Sequence, residues 1–221
     1  MKLAAPEMTP ELEAYLNSQQ PASSGVLARM EAELEDNNLP GIGPAVGRFL
    51  ALLLRMNRCV DVLELGTATG YSTLWLAGGC TGRVTSLESD PERVRLARAN
   101  IAEAALSGRI EVIEVDALAY LESEGGEFDA VFNDLLNSFP DEQTAERSFR
   151  LSLERLRPGG MLLADNALRR GEVVNPQSRG ALNVVRYNQL VADDPSLESL
   201  IVPLRDGVSI ARKADAALPA G

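Results

Sequence analysis

The chain has 221 residues, a mass of 23.7 kDa, a formal net charge of −11 and a pI near 4.6. That length suits one domain, 1–221, with a sizeable core. The acidic balance argues against a nucleic-acid partner, which needs a basic face. No run of about 20 apolar residues is present to span a membrane, and MKLAAPEMTPELEAYL lacks the apolar stretch of a signal peptide. A cytoplasmic protein with no membrane partner is expected.

In chain order, Thr9-Pro10 reads as a helix cap followed by proline at the first helical position, opening a short helix through about Gln19. A second helix is expected over Ser24–Asp36, with Val26, Leu27, Met30 and Leu34 at helical spacing. A Gly/Pro loop, Asn37–Pro44, precedes a third helix, Ala45–Met56. Residues 1–40 read as a helical cap over the active-site mouth or a dimer face. Strands then alternate with helices: strand Val60–Leu65, helix Tyr71–Gly78, strand Arg83–Glu88, helix Pro91–Ala105, strand Ile110–Val115 and helix Leu118–Glu124. Strand Phe128–Asp134, helix Glu142–Arg157 and strand Gly160–Asp165 follow. A long loop runs to Arg179, then a helix over Ala181–Ala192. Strands Leu197–Pro203 and Val208–Arg212 are split by the turn residues Asp206-Gly207. Alternation of this kind implies a parallel sheet covered on both faces, and the short last connection implies an antiparallel hairpin. The tail 214–221 is expected to fray. Cys59 and Cys80 lack metal-type spacing and read as buried thiols in a reducing compartment.

The most informative stretch is VDVLELGTATGYSTLWLA, Val60–Ala77. A buried strand runs into Gly66, and Gly70 precedes a helix. Glycine lets the backbone turn sharply and a ligand come close, and the first helical turn aims free N–H groups at an anion there. A dinucleotide fingerprint wants G-x-G-x-x-G, whereas here Thr67, Ala68 and Thr69 separate two glycines. The E-x-G-x-x-x-G spacing resembles motif I of class I S-adenosylmethionine (AdoMet) methyltransferases. Glycine-rich turns of this sort also arise for packing alone.

Ligands of parallel sheets bind at the carboxyl ends of the strands, and each parallel strand here ends in acid: Glu64, Glu88, Asp116, Asp134 and Asp165. If the ligand is AdoMet, Glu88 can accept the ribose hydroxyls and Asp116, followed by Ala117, the adenine amino group. Glu64 can act on the cationic methionine end. Gly66, Thr67, Gly70 and Ser72 form the turn and helix start that receive the carboxylate. Asp134, Asp165 and Asn166 are oxygen donors of the type that holds magnesium. They serve equally well as a helix cap and a turn.

On these motifs the chain resembles the small cation-dependent O-methyltransferases, the catechol and caffeoyl-CoA group with bacterial relatives. The likeness spans about Gly41 to Lys213, through LELGTATGYSTLWLA, VTSLESDPERV, FDAVFNDLLN, RPGGMLLADNALRRGEV and RYNQL…VPLRDGVSIARK. It implies an α/β, Rossmann-like, doubly wound seven-stranded sheet in the order 3-2-1-4-5-7-6 with the last strand antiparallel. It also implies AdoMet, a divalent cation such as Mg2+, a homodimer, and methyl transfer to a hydroxyl of a vicinal diol on a small aromatic acceptor. Asp134, Asp165 and Asn166 fall on the metal positions, and Asp134 also on a contact to the AdoMet amino group.

The departures are informative. The family has a general-base lysine where this chain has Asn137, which takes up no proton. The chain contains no histidine, and its only lysines are Lys2 and Lys213. Arg169 replaces an aromatic residue, so Arg169 and Arg170 could meet an anionic acceptor or be solvated loop arginines. Asn133 stands at a normally apolar position. The main reading is an AdoMet O-methyltransferase with Asp134 and residue 137 at the catalytic positions. The alternatives are an AdoMet-binding homologue without turnover and a nicotinamide oxidoreductase.

Overall fold

The structure, a computed structural model, describes residues 8–37, 39–123 and 126–215. Three helices lead: α1 (Pro10–Ser18), α2 (Gly25–Asp36) and α3 (Gly43–Met56). Then come β1 (Val62–Leu65), α4 (Tyr71–Gly79), β2 (Val84–Glu88), α5 (Pro91–Glu103), β3 (Ile110–Glu114) and α6 (Ala117–Glu122). Next are β4 (Phe128–Asn133), α7 (Glu142–Glu154), β5 (Leu156–Ala164), a 3₁₀ segment Arg169–Val174, α8 (Arg179–Asp193), β6 (Leu197–Val202) and β7 (Val208–Lys213).

Helix starts follow local chemistry. Thr9, Asp90, Asp116, Asp141 and Ser178 each accept a backbone N–H of the following helix through the side chain. The strands form one sheet in the order β3-β2-β1-β4-β5-β7-β6. Strands β1 to β5 run parallel, and β7 is antiparallel to both β5 and β6. The expected order and hairpin are borne out.

Period-2 alternation divides the core between the faces. Val62, Ala130 and Phe132 pack on the side of α3, α4 and α5 with Leu50, Leu54 and Trp75. Leu63, Leu65 and Val131 pack on the other side with Phe149 and Tyr187. Glu64 shares a strand face with Val62, so a carboxylate enters the α4 side of the core. Cys59 and Cys80 are free and buried, and burial pushes both thiols up.

Several boundaries differ from expectation. Strand one begins at Val62, because the Val60 and Asp61 N–H groups turn aside to the Asp129 carboxylate, both at 2.8 Å. Strand five begins at Leu156, where pairing to Phe128 ends helix α7 at Glu154. The loop before Arg179 contains the 3₁₀ segment, with positive φ at Arg169, Arg170 and Gly171. Ala214 donates to Ser196 O at 2.8 Å and Asp215 pairs with Arg212, so the expected fraying does not begin at 214. The rest of that tail, Lys2 and residue 124 of the expected sixth helix lie outside the described residues. Helix α2 is bound to α5 through Arg29, which reaches Asn100 and Glu103, and to α4 through Tyr71 Oη donating to Glu31 at 2.6 Å. That contact lies at the first residue of α4, so α2 sits beside the glycine turn. Among the described residues no helix is long and apolar enough to cross a membrane.

Candidate active site

The turn after β1 depends on two glycines in the left-handed region, Gly66 (φ 96°) and Gly70 (φ 89°). A Cβ on Gly66 would come within 2.8 Å of Leu135 Cδ2, so position 66 admits only glycine without strain and displacement. Gly66 and Thr67 both donate to Leu87 O at the end of β2. Helix α4 starts at Gly70 with no side chain capping it, which leaves its first N–H groups facing the turn.

Glu64, Glu88 and Asp116 each accept hydrogen bonds from the chain, while Glu64 Oε1 is buried without a partner among the described residues. Glu64 is fully buried and accepts from Thr73 Oγ1 and Ser86 Oγ, each at 2.5 Å. Burial pushes its carboxyl up to about 7, against the hydroxyls of Ser72, Ser86 and Thr73 that favour the ion. Thr67 turns inward, its Oγ1 at 2.5 Å from Ser86 Oγ. Glu88 accepts three backbone N–H groups: Ala68 at 2.9 Å, Ser89 at 3.0 Å and Asp90 at 3.0 Å. It therefore braces the glycine turn as well as ending β2. Asp116 is exposed and uses Oδ1 to cap Ala119 N at 2.9 Å, with Ala117 buried behind it.

The tips of β4 and β5 are built differently. Asn133 and Ala164 are register partners, so Asp134 and Asp165 follow as the next pair on adjacent parallel strands. Asp134 N–H donates to Leu65 O at 3.0 Å, which seats it against Gly66. Among the described residues no side chain or backbone N–H donates to the Asp134 carboxylate. Burial, then the nearby charges of Asp165 and Glu64, raise its pKa well above the usual carboxylate range. Asp165 is pushed up to about 6, chiefly by burial and also by Asp206, while the Asn166 N–H and the Arg205 charge pull the other way.

Asn133 has a structural reason that its sequence context hid. It is fully buried, with Oδ1 accepting Leu135 N–H at 2.9 Å and Nδ2 donating to Ser148 Oγ at 3.3 Å. This is the side chain that turns the backbone at Asp134. Asn166 sits at φ 59°; its Nδ2 donates to Asp206 Oδ2 at 3.1 Å, and its Oδ1 accepts from Asn137 Nδ2 at 2.7 Å. Asn137 thus joins the site through Asn166. Its own Oδ1 is buried without a partner. The Arg169 side chain lies against Gly180 of α8, and its Nε is likewise buried with no acceptor. Arg170 is exposed.

Among the described residues, no three His, Cys, Asp or Glu side chains gather as a metal cluster. The donor set here is two carboxylates and one amide oxygen. Two neighbouring acids with no ion pair to a basic side chain, one of them without any donor, fit a hard cation by their chemistry. Sequence reasoning missed Ser86, Thr73 and Asp206 as parts of the site. Asp206 was legible only as a turn residue.

Residues 22–214 match the O-methyltransferase family. The chain belongs to that family. It is 31% identical over 199 residues to a catechol O-methyltransferase of Mycobacterium tuberculosis, covering 87% of this chain and 88% of that one. It is 31% identical over 193 residues to a catechol O-methyltransferase of Niastella koreensis, covering 80% and 85%. The crystal structure of an O-methyltransferase from Bacillus cereus in complex with S-adenosylhomocysteine (SAH) superposes with a TM-score of 0.79 at 29% identity, covering 92% of this chain and 97% of that one. The expectation of an AdoMet-dependent O-methyltransferase is borne out, and the nicotinamide reading falls away with it.

Proposed function

We propose that this O-methyltransferase methylates a hydroxyl of a small catechol-like aromatic acceptor, with a divalent cation of the magnesium type at Asp134, Asp165 and Asn166. The observation that carries the reading is the Asp134–Asp165 pair, two adjacent acids beside the glycine turn with no basic side chain bonded to either. The names of the relatives support the acceptor class. When bound, AdoMet supplies an electrophilic methyl group and the cation supplies Lewis acidity toward an aryl hydroxyl.

The chain's residues do the positioning. Gly66 and Gly70 admit the cofactor close to the backbone, and the free N–H groups at the start of α4 receive its carboxylate. Glu88, held by three backbone donors, is pre-organised to accept the ribose hydroxyls. Asp116 spends one oxygen on its cap and offers the other to adenine. Asp134 faces the cofactor's ammonium end from β4. Holding the acceptor oxygen in line with the methyl carbon makes the displacement effectively unimolecular. Asn137 orients and does not take the proton. The same family likeness supports a cytoplasmic homodimer, which sedimentation and fractionation test.

The deciding experiment incubates the purified chain with AdoMet, Mg2+ and a panel of catechols, with products read by mass spectrometry. A monomethylated catechol, lost on chelation and restored by Mg2+, is the expected result. No product from any catechol, or activity indifferent to chelator, overturns the reading. A second reading, an AdoMet-binding protein without turnover, is favoured by Asn137 alone. AdoMet binding by calorimetry without turnover, and turnover gained in Asn137→Lys, would establish it.

A further inference from the structure

The turn between β6 and β7 carries an acid for which methyl transfer, as described above, has no use. Asp206 O accepts Leu168 N–H at 2.8 Å and Gly207 O accepts Ala167 N–H at 2.9 Å, so backbone bonds alone seat the turn on the loop after β5. The Asp206 side chain adds two more contacts. Its Oδ1 accepts the Arg170 backbone N–H, and its Oδ2 accepts Asn166 Nδ2 at 3.1 Å.

The second of these sets the direction of a chain of amides. An ionised carboxylate only accepts hydrogen bonds, so Asn166 must turn its NH2 toward Asp206 and its oxygen away. That oxygen then accepts Asn137 Nδ2 at 2.7 Å. The two ends of an amide are nearly identical in shape, so shape alone does not choose between them. The acid at the end of the chain does.

We propose that Asp206 is a positioning residue of the cation site. It holds the Asn166 amide in the one orientation that offers an oxygen, and Asn137 supplies a hydrogen bond to that same oxygen. This gives residue 137 a role that needs no proton transfer, in the place where the family keeps a base. The inference rests on the cation reading above. Partners that orient a ligand in this way control metal affinity by roughly 10- to 100-fold.

The test titrates Mn2+, followed by electron paramagnetic resonance, into the full chain saturated with AdoMet. Asp206→Asn keeps an oxygen for the Arg170 N–H but sets an NH2 against the Asn166 NH2, so Asn166 turns over. We expect Mn2+ affinity to fall at least about tenfold, with AdoMet affinity and melting temperature close to wild type. The double variant Asn166→Asp/Asp206→Asn should stay within about threefold of Asn166→Asp alone, because a carboxylate offers oxygen in either orientation. A merely structural or electrostatic Asp206 makes Asp206→Asn cost the same factor in the Asn166→Asp background as in the wild-type chain. That result, or Asp206→Asn binding like wild type, overturns the proposal alone. A wild-type chain that binds AdoMet and no Mn2+ overturns the cation reading and the proposal together.

Discussion

On the β1 to β3 side, Glu64, Glu88 and Asp116 accept hydrogen bonds from their own chain: Glu64 Oε2 from Thr73 and Ser86, with Oε1 buried and unpartnered among the described residues, Glu88 from three backbone amides, Asp116 from its helix cap. On β4 and β5, Asp134 accepts none, and the charge of Asp165 pushes its pKa further up. The contrast separates two kinds of ligand chemistry. A carboxylate held by fixed donors is a pre-organised acceptor for neutral hydroxyls and amines. A pair of neighbouring acids, one of them without any donor, calls for a cation, because two adjacent charges held away from water are costly without one.

The largest effect should come from the unsatisfied side. Asp134→Ala removes one acid of the pair, and kcat/KM for a catechol is expected to fall by more than about a hundredfold, measured by steady-state methylation. Raising Mg2+ should recover little of it. If Asp134→Ala keeps wild-type activity, the contrast between the two halves has no functional meaning.

On the other side, Glu88→Gln keeps the shape but loses the charge behind the brace on Ala68 N–H and behind the ribose bonds proposed above. Calorimetry should show AdoMet affinity lower by about 10- to 100-fold, with Mn2+ binding little changed. A matching loss of Mn2+ binding would mean that the two halves are not separable.

A pH series sharpens the comparison for the buried member. Glu64 is lifted from 4.5 to about 7, so between those values the folded chain holds a proton that the unfolded chain has released. Stability is then highest below the lower value and falls as pH rises through the upper one. The loss is on the order of 3 kcal/mol. Asp165, lifted to about 6, acts in the same direction. With no histidine in the chain, no imidazole titration overlays this window. Melting temperatures in chelator, without AdoMet, should drop from about pH 5 to pH 8, and Glu64→Gln should remove its own share of the drop and leave that of Asp134 and Asp165.

The smallest expected effect is at Arg169. Its buried Nε has no acceptor, so Arg169→Ala should raise KM for a carboxylated catechol about fivefold to tenfold and leave unsubstituted catechol near wild type. Equal changes for both acceptors would make Arg169 a packing residue on Gly180.

Much of this was legible in advance because it is local. The alternation of strands and helices, the two glycines before α4, and the cap at Thr9 depend on neighbours within a few residues. The acid at each strand end followed from strand ends alone. What those acids bond to was not legible. Glu88 bracing Ala68 and Thr73 reaching Glu64 are contacts between elements whose side-chain directions depend on the finished sheet. Asn133 looked misplaced in an apolar run until Leu135 N–H and Ser148 supplied partners from the next turn and from α7.

The amino-acid order by itself determined the repeating units, the glycine turn and the family likeness, since periodicity and backbone freedom are properties of short stretches. Only the tertiary structure decided which carboxylates accept hydrogen bonds from the chain. Hydrogen bonding is settled by what the fold brings within about 3 Å, and Asp206, 40 residues along the chain from Asn166, reaches it only because β7 returns antiparallel beside β5.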